Sequence, residues 1–205
     1  MNGRGQRTAI VVCLGGAVLQ LGYGVAAIVV GYPRITDAGF ELVWLAVNLG
    51  MIGGVIGWLQ LDVARPRRLA RAAGAAAIAG YLLRVAVSIW LITDPSAPAD
   101  GAIVASILLM FAGFATVGVC TVRTRQLTGW AAWAPLVTVA AGLFTAAWYS
   151  IDKPIHFTLL GLLWGASWLA LGLTLARLHA RATTPISTPT TPARQPSWAM
   201  STKRE

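Results

Sequence analysis

Runs of apolar residues that are each long enough to cross a lipid bilayer recur six times along this chain. A helix rises about 1.5 Å per residue, so a hydrocarbon core about 30 Å thick requires about 20 apolar residues. The pattern predicts an all-α integral membrane protein, a bundle of six transmembrane helices within residues 1–181. The predicted spans cover residues 8–30, 40–61, 70–92, 101–122, 130–150 and 155–178.

Residues 182–205 differ from the rest of the chain because they are rich in Thr, Pro and Ser. A segment of this composition buries too little apolar surface to offset the conformational entropy that it would lose on folding. We therefore predict a disordered cytoplasmic tail over these residues.

The overall composition agrees with a membrane protein, since 57% of the residues are hydrophobic and 11% are charged. Soluble domains carry about 25% charged residues. The net charge of +9 does not indicate nucleic-acid binding, because the basic residues are spread through short segments between apolar runs instead of clustering on one face. The lipid bilayer is the expected partner, and no nucleic acid is expected.

The distribution of Lys and Arg predicts that both termini are cytoplasmic, because positive residues are retained on that side of the membrane. Of the 16 Lys and Arg residues, two fall outside and Arg84 lies within a span. The excess of Arg over Lys suggests a GC-rich bacterial genome and hence a bacterial inner membrane. The residues predicted to be cytoplasmic are Arg4, Arg7, Arg65, Arg67, Arg68, Arg71, Arg123, Arg125, Arg177, Arg181, Arg194, Lys203 and Arg204, and those predicted outside are Arg34 and Lys153.

Arg84 is the one Lys or Arg residue predicted to lie deep inside a span, since Arg71 and Arg177 lie next to a span end. A charged side chain there costs about 2.5 to 3.5 kcal/mol on insertion scales unless it finds water or a partner. Counting back from the outer end of the third span places Arg84 about 12 Å deep. Tyr81 and Ser88 stand at i−3 and i+4, so they share its helix face.

Polar residues of the first two spans are predicted to reach the same depth as Arg84. Glu41 and Asn48 lie two turns apart on one face of the second span, and Gln20 and Tyr23 lie at middle to outer depth in the first. We therefore predict an outward-facing polar cluster whose candidate ligand-binding residues are Arg84, Glu41, Asn48, Tyr81, Tyr23, Gln20 and Ser88.

The opposite face of the second span carries Gly50, Gly53, Gly54 and Gly57. Small residues let neighbouring membrane helices approach closely, so this face predicts a central position for the second helix. A weaker packing signal is found in the sixth span, at Gly161 and Gly165. Glycine faces also serve contacts between chains, which leaves a homo-oligomer or another membrane protein as partners to consider.

Several aromatic and histidine residues have simpler interpretations. We interpret Trp44, near a span end, as a residue of the interfacial aromatic belt. Trp164 and Trp168 lie four residues apart on one helix face, which indicates packing. We interpret His156 as a solvated residue close to the outer boundary.

Three classes of function remain open at this point. The first is binding or transport of a small polar or anionic ligand around Arg84. The second is a structural or accessory membrane subunit, in which Arg84 with Glu41 or Asn48 only fastens the second helix to the third. An intramembrane enzyme has the least support, because no Asp lies within a span and His156 and His179 stand at opposite ends of the sixth. No catalytic residue, metal or cofactor is expected.

Overall fold

The structure is a computed structural model that describes residues 3–30, 37–94, 98–148, 151 and 153–183 of the 205-residue chain. Within these ranges the regular structure is entirely helical. The helices are α1 (Gly3–Val30), α2 (Asp37–Gln60), α3 (Arg67–Thr93), α4 (Asp100–Thr124), α5 (Trp130–Ala147), α6 (Lys153–Leu159) and α7 (Gly165–Thr183), with a π-helical turn, Leu160–Trp164, that joins α6 to α7. The predicted disordered tail lies outside the described residues from position 184 onward.

Six stretches of the described chain are helical, long and apolar enough to cross a membrane, which indicates a multi-pass membrane protein. The all-helical class and the six long apolar helices are therefore confirmed, whereas their crossing of a membrane and their orientation stay predictions. The six stretches are Arg4–Val29, Gly39–Gln60, Arg67–Thr93, Asp100–Thr124, Trp130–Ala147 and Ile155–Thr183.

Several helices extend beyond the apolar runs from which the spans were predicted. α3 begins at Arg67 and α7 continues to Thr183. Arginine is itself a good helix former, so a basic flank does not end a helix. We call the end of the bundle that carries Arg67 and Arg123 the arginine-rich end, and the end that carries Asp94 and Asp100 the acidic end.

Helices that follow one another in the sequence pack side by side, and α7 returns to pack against α1 and α5. Of the six spans, the second has the largest buried share, 56% over its most apolar stretch. α2 therefore lies at the centre of the packing, between α1 and α3, and it also touches α7.

Close backbone contacts hold α1 against its two neighbours. A Cβ atom on Gly16 would lie 2.7 Å from the Cα atom of Gly50 in α2, and one on Gly24 would lie 2.8 Å from the carbonyl carbon of Gly161. Neither distance leaves room for a side chain. In lipid, such contacts stabilise a bundle through dispersion, because lipid tails are as apolar as the helices themselves.

The other predicted packing glycines lie against side chains or a backbone oxygen. A Cβ on Gly53 would lie 2.9 Å from the backbone oxygen of Ala9, and one on Gly54 would lie 2.6 Å from the Trp168 ring. Gly57 and Gly165 are less tightly enclosed, each with a leucine atom 3.2 Å from the added Cβ.

The sixth span is interrupted by a π-helical turn that the sequence pattern did not predict. At this turn the side-chain Nε2 of Gln20 donates a hydrogen bond to the backbone oxygen of Leu160, 2.8 Å away. The next residue, Gly161, is the one that packs against Gly24. The turn thus lies where α1 comes closest to the sixth span.

Two interpretations from the sequence are wrong. Trp44 is not an interfacial residue, because it is 8% exposed and lies inside the bundle. It shares the inward face of α2 with Glu41 and Asn48, three residues before it and four after it. His156 is not solvated either, since it is 8% exposed and its Nδ1 lies 2.7 Å from the backbone oxygen of Thr145.

We expect Gly24→Ala to destabilise the purified protein, because the new methyl group would meet the backbone of Gly161. Overpacking of this kind costs about 1 to 3 kcal/mol. Gly22→Ala is the matched control, since a Cβ at that exposed position meets nothing within 4 Å. Thermal unfolding in detergent measures both variants, and equal stabilities would contradict the close contact.

Candidate functional site

A buried ion pair joins α2 to α3. Nη2 of Arg84 donates to Oε1 of Glu41 at 3.1 Å, and Nη1 of the same guanidinium donates to the hydroxyl of Ser88 at 3.0 Å. The two charged side chains are 8% and 9% exposed. Because an isolated buried ion costs several kcal/mol, each partner offsets part of the cost of burying the other.

The guanidinium also lies over an aromatic ring. The Cζ atom of Arg84 is 5.8 Å from the ring centroid of Trp44, within the range of a cation–π interaction. Trp44 also contacts two other rings. It stacks with Phe40 at 5.7 Å and contacts Trp164 at 5.9 Å, both measured between ring centroids. The charged pair is thereby joined to an aromatic cluster, which we define as Tyr23, Phe40, Trp44, Phe111, Phe157 and Trp164.

The aromatic cluster connects α2 to the remaining helices around the site. Phe40 contacts Tyr23 of α1 at 5.5 Å between centroids and Phe157 of α6 at 5.2 Å. Trp164 of the π-helical turn contacts Phe111 of α4 at 5.8 Å. Contacts between offset or tilted rings add to the area that they bury, so the cluster fixes the geometry around the ion pair.

Three acceptor oxygens near this cluster are buried and have no hydrogen-bond donor among the described residues. They are Oε2 of Glu41, Oδ1 of Asn48 and Oε1 of Gln20. The amide nitrogen of Asn48 donates to the backbone oxygen of Trp44 in its own helix, at 2.6 Å. Buried polar atoms are nearly always paired, and each unpaired one costs about 1 to 3 kcal/mol.

Buried donors without acceptors also occur in the interior of the bundle. Across the described residues, the indole Nε1 atoms of Trp44, Trp164 and Trp168 have no hydrogen-bond partner. The interior therefore presents both donors and acceptors that the protein does not pair with each other.

The candidate residues do not all meet. Arg84, Glu41 and Ser88 are in direct contact. Asn48 is joined to this group through Trp44, Tyr23 through Phe40, and Gln20 reaches the π-helical turn. Tyr81 lies elsewhere, with its ring 6.1 Å from that of Trp168, which stacks on Phe114 at 5.4 Å. Tyr81 and Arg84 therefore lie on the same face of α3 but contact different side chains.

Sequence reasoning included Tyr23 and indicated packing for Trp164, but it missed the other four members of the aromatic cluster. A signal for Trp44 was present, because positions 41, 44 and 48 follow the i, i+3, i+7 spacing of one helix face. Phe40, Phe111 and Phe157 gave no signal, since they come together only through the packing of three different helices.

A second polar group joins α1 to α7 at the arginine-rich end. Nδ1 of His179 lies 2.9 Å from Oε1 of Gln6, and Nε of Arg7 donates to Nε2 of His179 at 3.5 Å. The imidazole of His179 thus links two side chains of α1 to α7. Within the described part of the chain, no three potential ligands come together to hold a metal ion.

Comparisons with protein-family models, with curated proteins and with solved structures found no match to this chain. We therefore infer a function from the geometry of the residues.

We expect Arg84→Met to destabilise the protein by about 3 to 5 kcal/mol, because it leaves the carboxylate of Glu41 buried and uncompensated. The double variant Arg84→Met with Glu41→Met removes both charges and should return to near the wild-type stability. Unfolding of the wild type, Arg84→Met, Glu41→Met and the double variant in detergent gives the coupling free energy between the two side chains. Additive losses in the double variant would show that the two side chains do not form a buried pair.

Proposed function

We propose that this protein binds or transports a small polar solute at the cluster around Arg84 and Glu41. We further propose that it does so in a bacterial inner membrane, with both termini in the cytoplasm and the acidic end facing outward. The distribution of Lys and Arg supports this orientation. In this orientation, the cluster around Arg84 lies in the outer half of the bundle.

The observation that carries the proposal is the set of three buried acceptors without donors, on Glu41, Asn48 and Gln20. A purely structural ion pair needs its remaining lone pairs satisfied in order to offset its desolvation. Here Glu41 uses one carboxylate oxygen on Arg84 and leaves the other unpaired. A solute that donates hydrogen bonds would complete this set.

The charges of the cluster indicate the chemistry of the solute. Arg84 and Glu41 cancel each other, so a simple anion would first have to displace the carboxylate from the guanidinium. A neutral or zwitterionic solute fits better, since its donor groups can face Glu41 and its acceptor groups can face Arg84. The aromatic cluster would bury its apolar part, as in most small-molecule sites.

The π-helical turn gives further support to this location. Such turns are rare and are found frequently at functional sites. In this protein the turn carries Trp164 into the aromatic cluster and offers the oxygen of Leu160 to Gln20. Ionisable residues inside membrane spans are rare, and the roles known for them include substrate and ion pathways and proton relays.

The second candidate is a structural or accessory subunit, in which the ion pair only fastens α2 to α3. The mutual contact of Arg84, Glu41 and Ser88 favours this candidate. A purely structural role leaves the unpaired oxygens of Gln20 and Asn48 without a function, whereas a solute site would use them.

A thermal-shift screen of the full chain in lipid nanodiscs tests the proposal. The probes are neutral and zwitterionic solutes, namely amino acids, sugars, polyols and small amides. At a concentration about 100-fold above its dissociation constant, a bound solute stabilises by about 2.7 kcal/mol. For a chain of this size, that stabilisation raises the melting temperature by about 5 to 10 °C.

Three variants make the screen specific. We expect Asn48→Leu and the double variant Arg84→Met with Glu41→Met to lose the shift. Thr93→Val should keep it, because that exposed hydroxyl bonds within its own helix. A panel in which no solute shifts the wild type, or in which the double variant responds like the wild type, would favour the structural candidate.

A further inference from the structure

A groove of about 320 Å³ opens between α3 and α4 at the arginine-rich end, the opposite end from the Arg84 cluster. Arg65 and Arg123 stand at its mouth, and Leu69, Ala115 and Val119 line its wall. We infer that this groove binds an anionic phospholipid of the adjacent leaflet, with the phosphate between the two arginines and an acyl chain along the wall. This inference does not depend on the proposed solute site.

The wall of the groove is apolar and faces outward from the bundle. Leu69 is 51% exposed and Val119 is 38% exposed. The hydroxyl of Thr116, which also lines the groove, donates to the backbone oxygen of Ala112 at 2.8 Å, so it offers little polarity to a ligand. From Ala115 to Arg123 the wall runs for about 12 Å at the helical rise, the shape of a stretch of acyl chain.

The mouth of the groove carries excess positive charge. Nη1 of Arg65 lies 3.3 Å from Oδ1 of Asp62, and the same carboxylate also pairs with Arg67. Arg123 has no ion-pair partner among the residues that the structure describes. The Asp62 carboxylate thus pairs with two guanidinium groups and leaves that of Arg123 free of an ion pair among the described side chains. Arginine binds phosphate oxygens in a bidentate geometry.

Backbone contacts hold the mouth in place. The backbone nitrogen of Arg65 donates to the oxygen of Cys120 at 3.3 Å, and the hydroxyl of Thr124 donates to the oxygen of Val63 at 2.9 Å. The connection between α2 and α3 is thereby fixed onto the end of α4. The backbones that carry the two arginines are therefore held together before any lipid binds, which lowers the entropic cost of binding.

An anionic phospholipid fits this arrangement better than the alternative occupants. Basic pockets between membrane helices are typical binding sites for anionic headgroups. Free phosphate would use the arginines and leave the apolar wall uncovered. A second copy of this chain would bring its own arginine-rich end against the first, and the like charges would repel.

Titration of the purified full chain with three probes tests the inference, with binding followed by native mass spectrometry. The probes are phosphatidylglycerol, phosphatidylcholine with the same acyl chains, and inorganic phosphate. A basic side chain near an anionic lipid surface contributes about fivefold to affinity, the equivalent of about 1 kcal/mol. The double variant Arg65→Gln with Arg123→Gln should therefore bind phosphatidylglycerol about 25-fold more weakly.

Two further variants separate the charge from the shape of the groove. Arg177→Gln, an exposed position on α7 at the same end, is the control and should change phosphatidylglycerol binding by less than about twofold, because it lies away from the groove. Val119→Trp fills the groove without changing its charge and should weaken both lipids. If the double variant does not fold, Arg123→Gln alone should still show the fivefold loss.

Several results would overturn the inference. Equal binding of the two phospholipids to the wild type would exclude recognition by charge, and an equal loss in Arg177→Gln would show only a general attraction to the basic end. Binding of phosphate as tight as that of phosphatidylglycerol would exclude the acyl-chain contact. A dimer whose formation protects the groove, with neither lipid bound, would identify a second copy as the occupant.

Discussion

Helices surrounded by lipid are not driven together by the hydrophobic effect, so this bundle depends on close contact between backbones. Lipid tails solvate an apolar helix face as well as another helix does. Helix–helix contact is therefore favoured over helix–lipid contact only where the two helices fit closely. Gly16 on Gly50 and Gly24 on Gly161 provide this fit between α1 and two of its neighbours, α2 and the sixth span. The position of α1 then determines which residues can meet inside the bundle.

The same helix that supplies one glycine face supplies the polar face of the candidate site. On α2, Gly50 and Gly53 face α1, whereas Glu41 faces α3, where its carboxylate meets the guanidinium of Arg84. Trp44 lies on the inward face and links the pair to the sixth span. Loss of the glycine contacts would therefore move the polar face as well, because both belong to one rigid helix.

Much of the architecture follows from quantities that the sequence contains. Span length follows from a fixed helical rise, and depth counted from the span ends places Arg84 within reach of Glu41. The interpretation of the sequence was wrong where the burial of a side chain depended on tertiary packing. Trp44 and His156 lie near span ends, and position along a helix does not reveal which face has a neighbour. The π-helical turn at Leu160–Trp164 also coincides with a contact between distant segments, the hydrogen bond from Gln20 to Leu160.

The most direct test of this account is the accessibility of single cysteines to a membrane-impermeant maleimide in intact cells. The native Cys13 and Cys120 are buried and would be replaced by alanine. Cysteines introduced at Pro98 and Ile151 should react in intact cells, whereas those at Arg68 and Thr128 should react only after the membrane is permeabilised. Labelling of Arg68→Cys and Pro98→Cys from the same side would contradict a six-span bundle whose arginine-rich end is cytoplasmic.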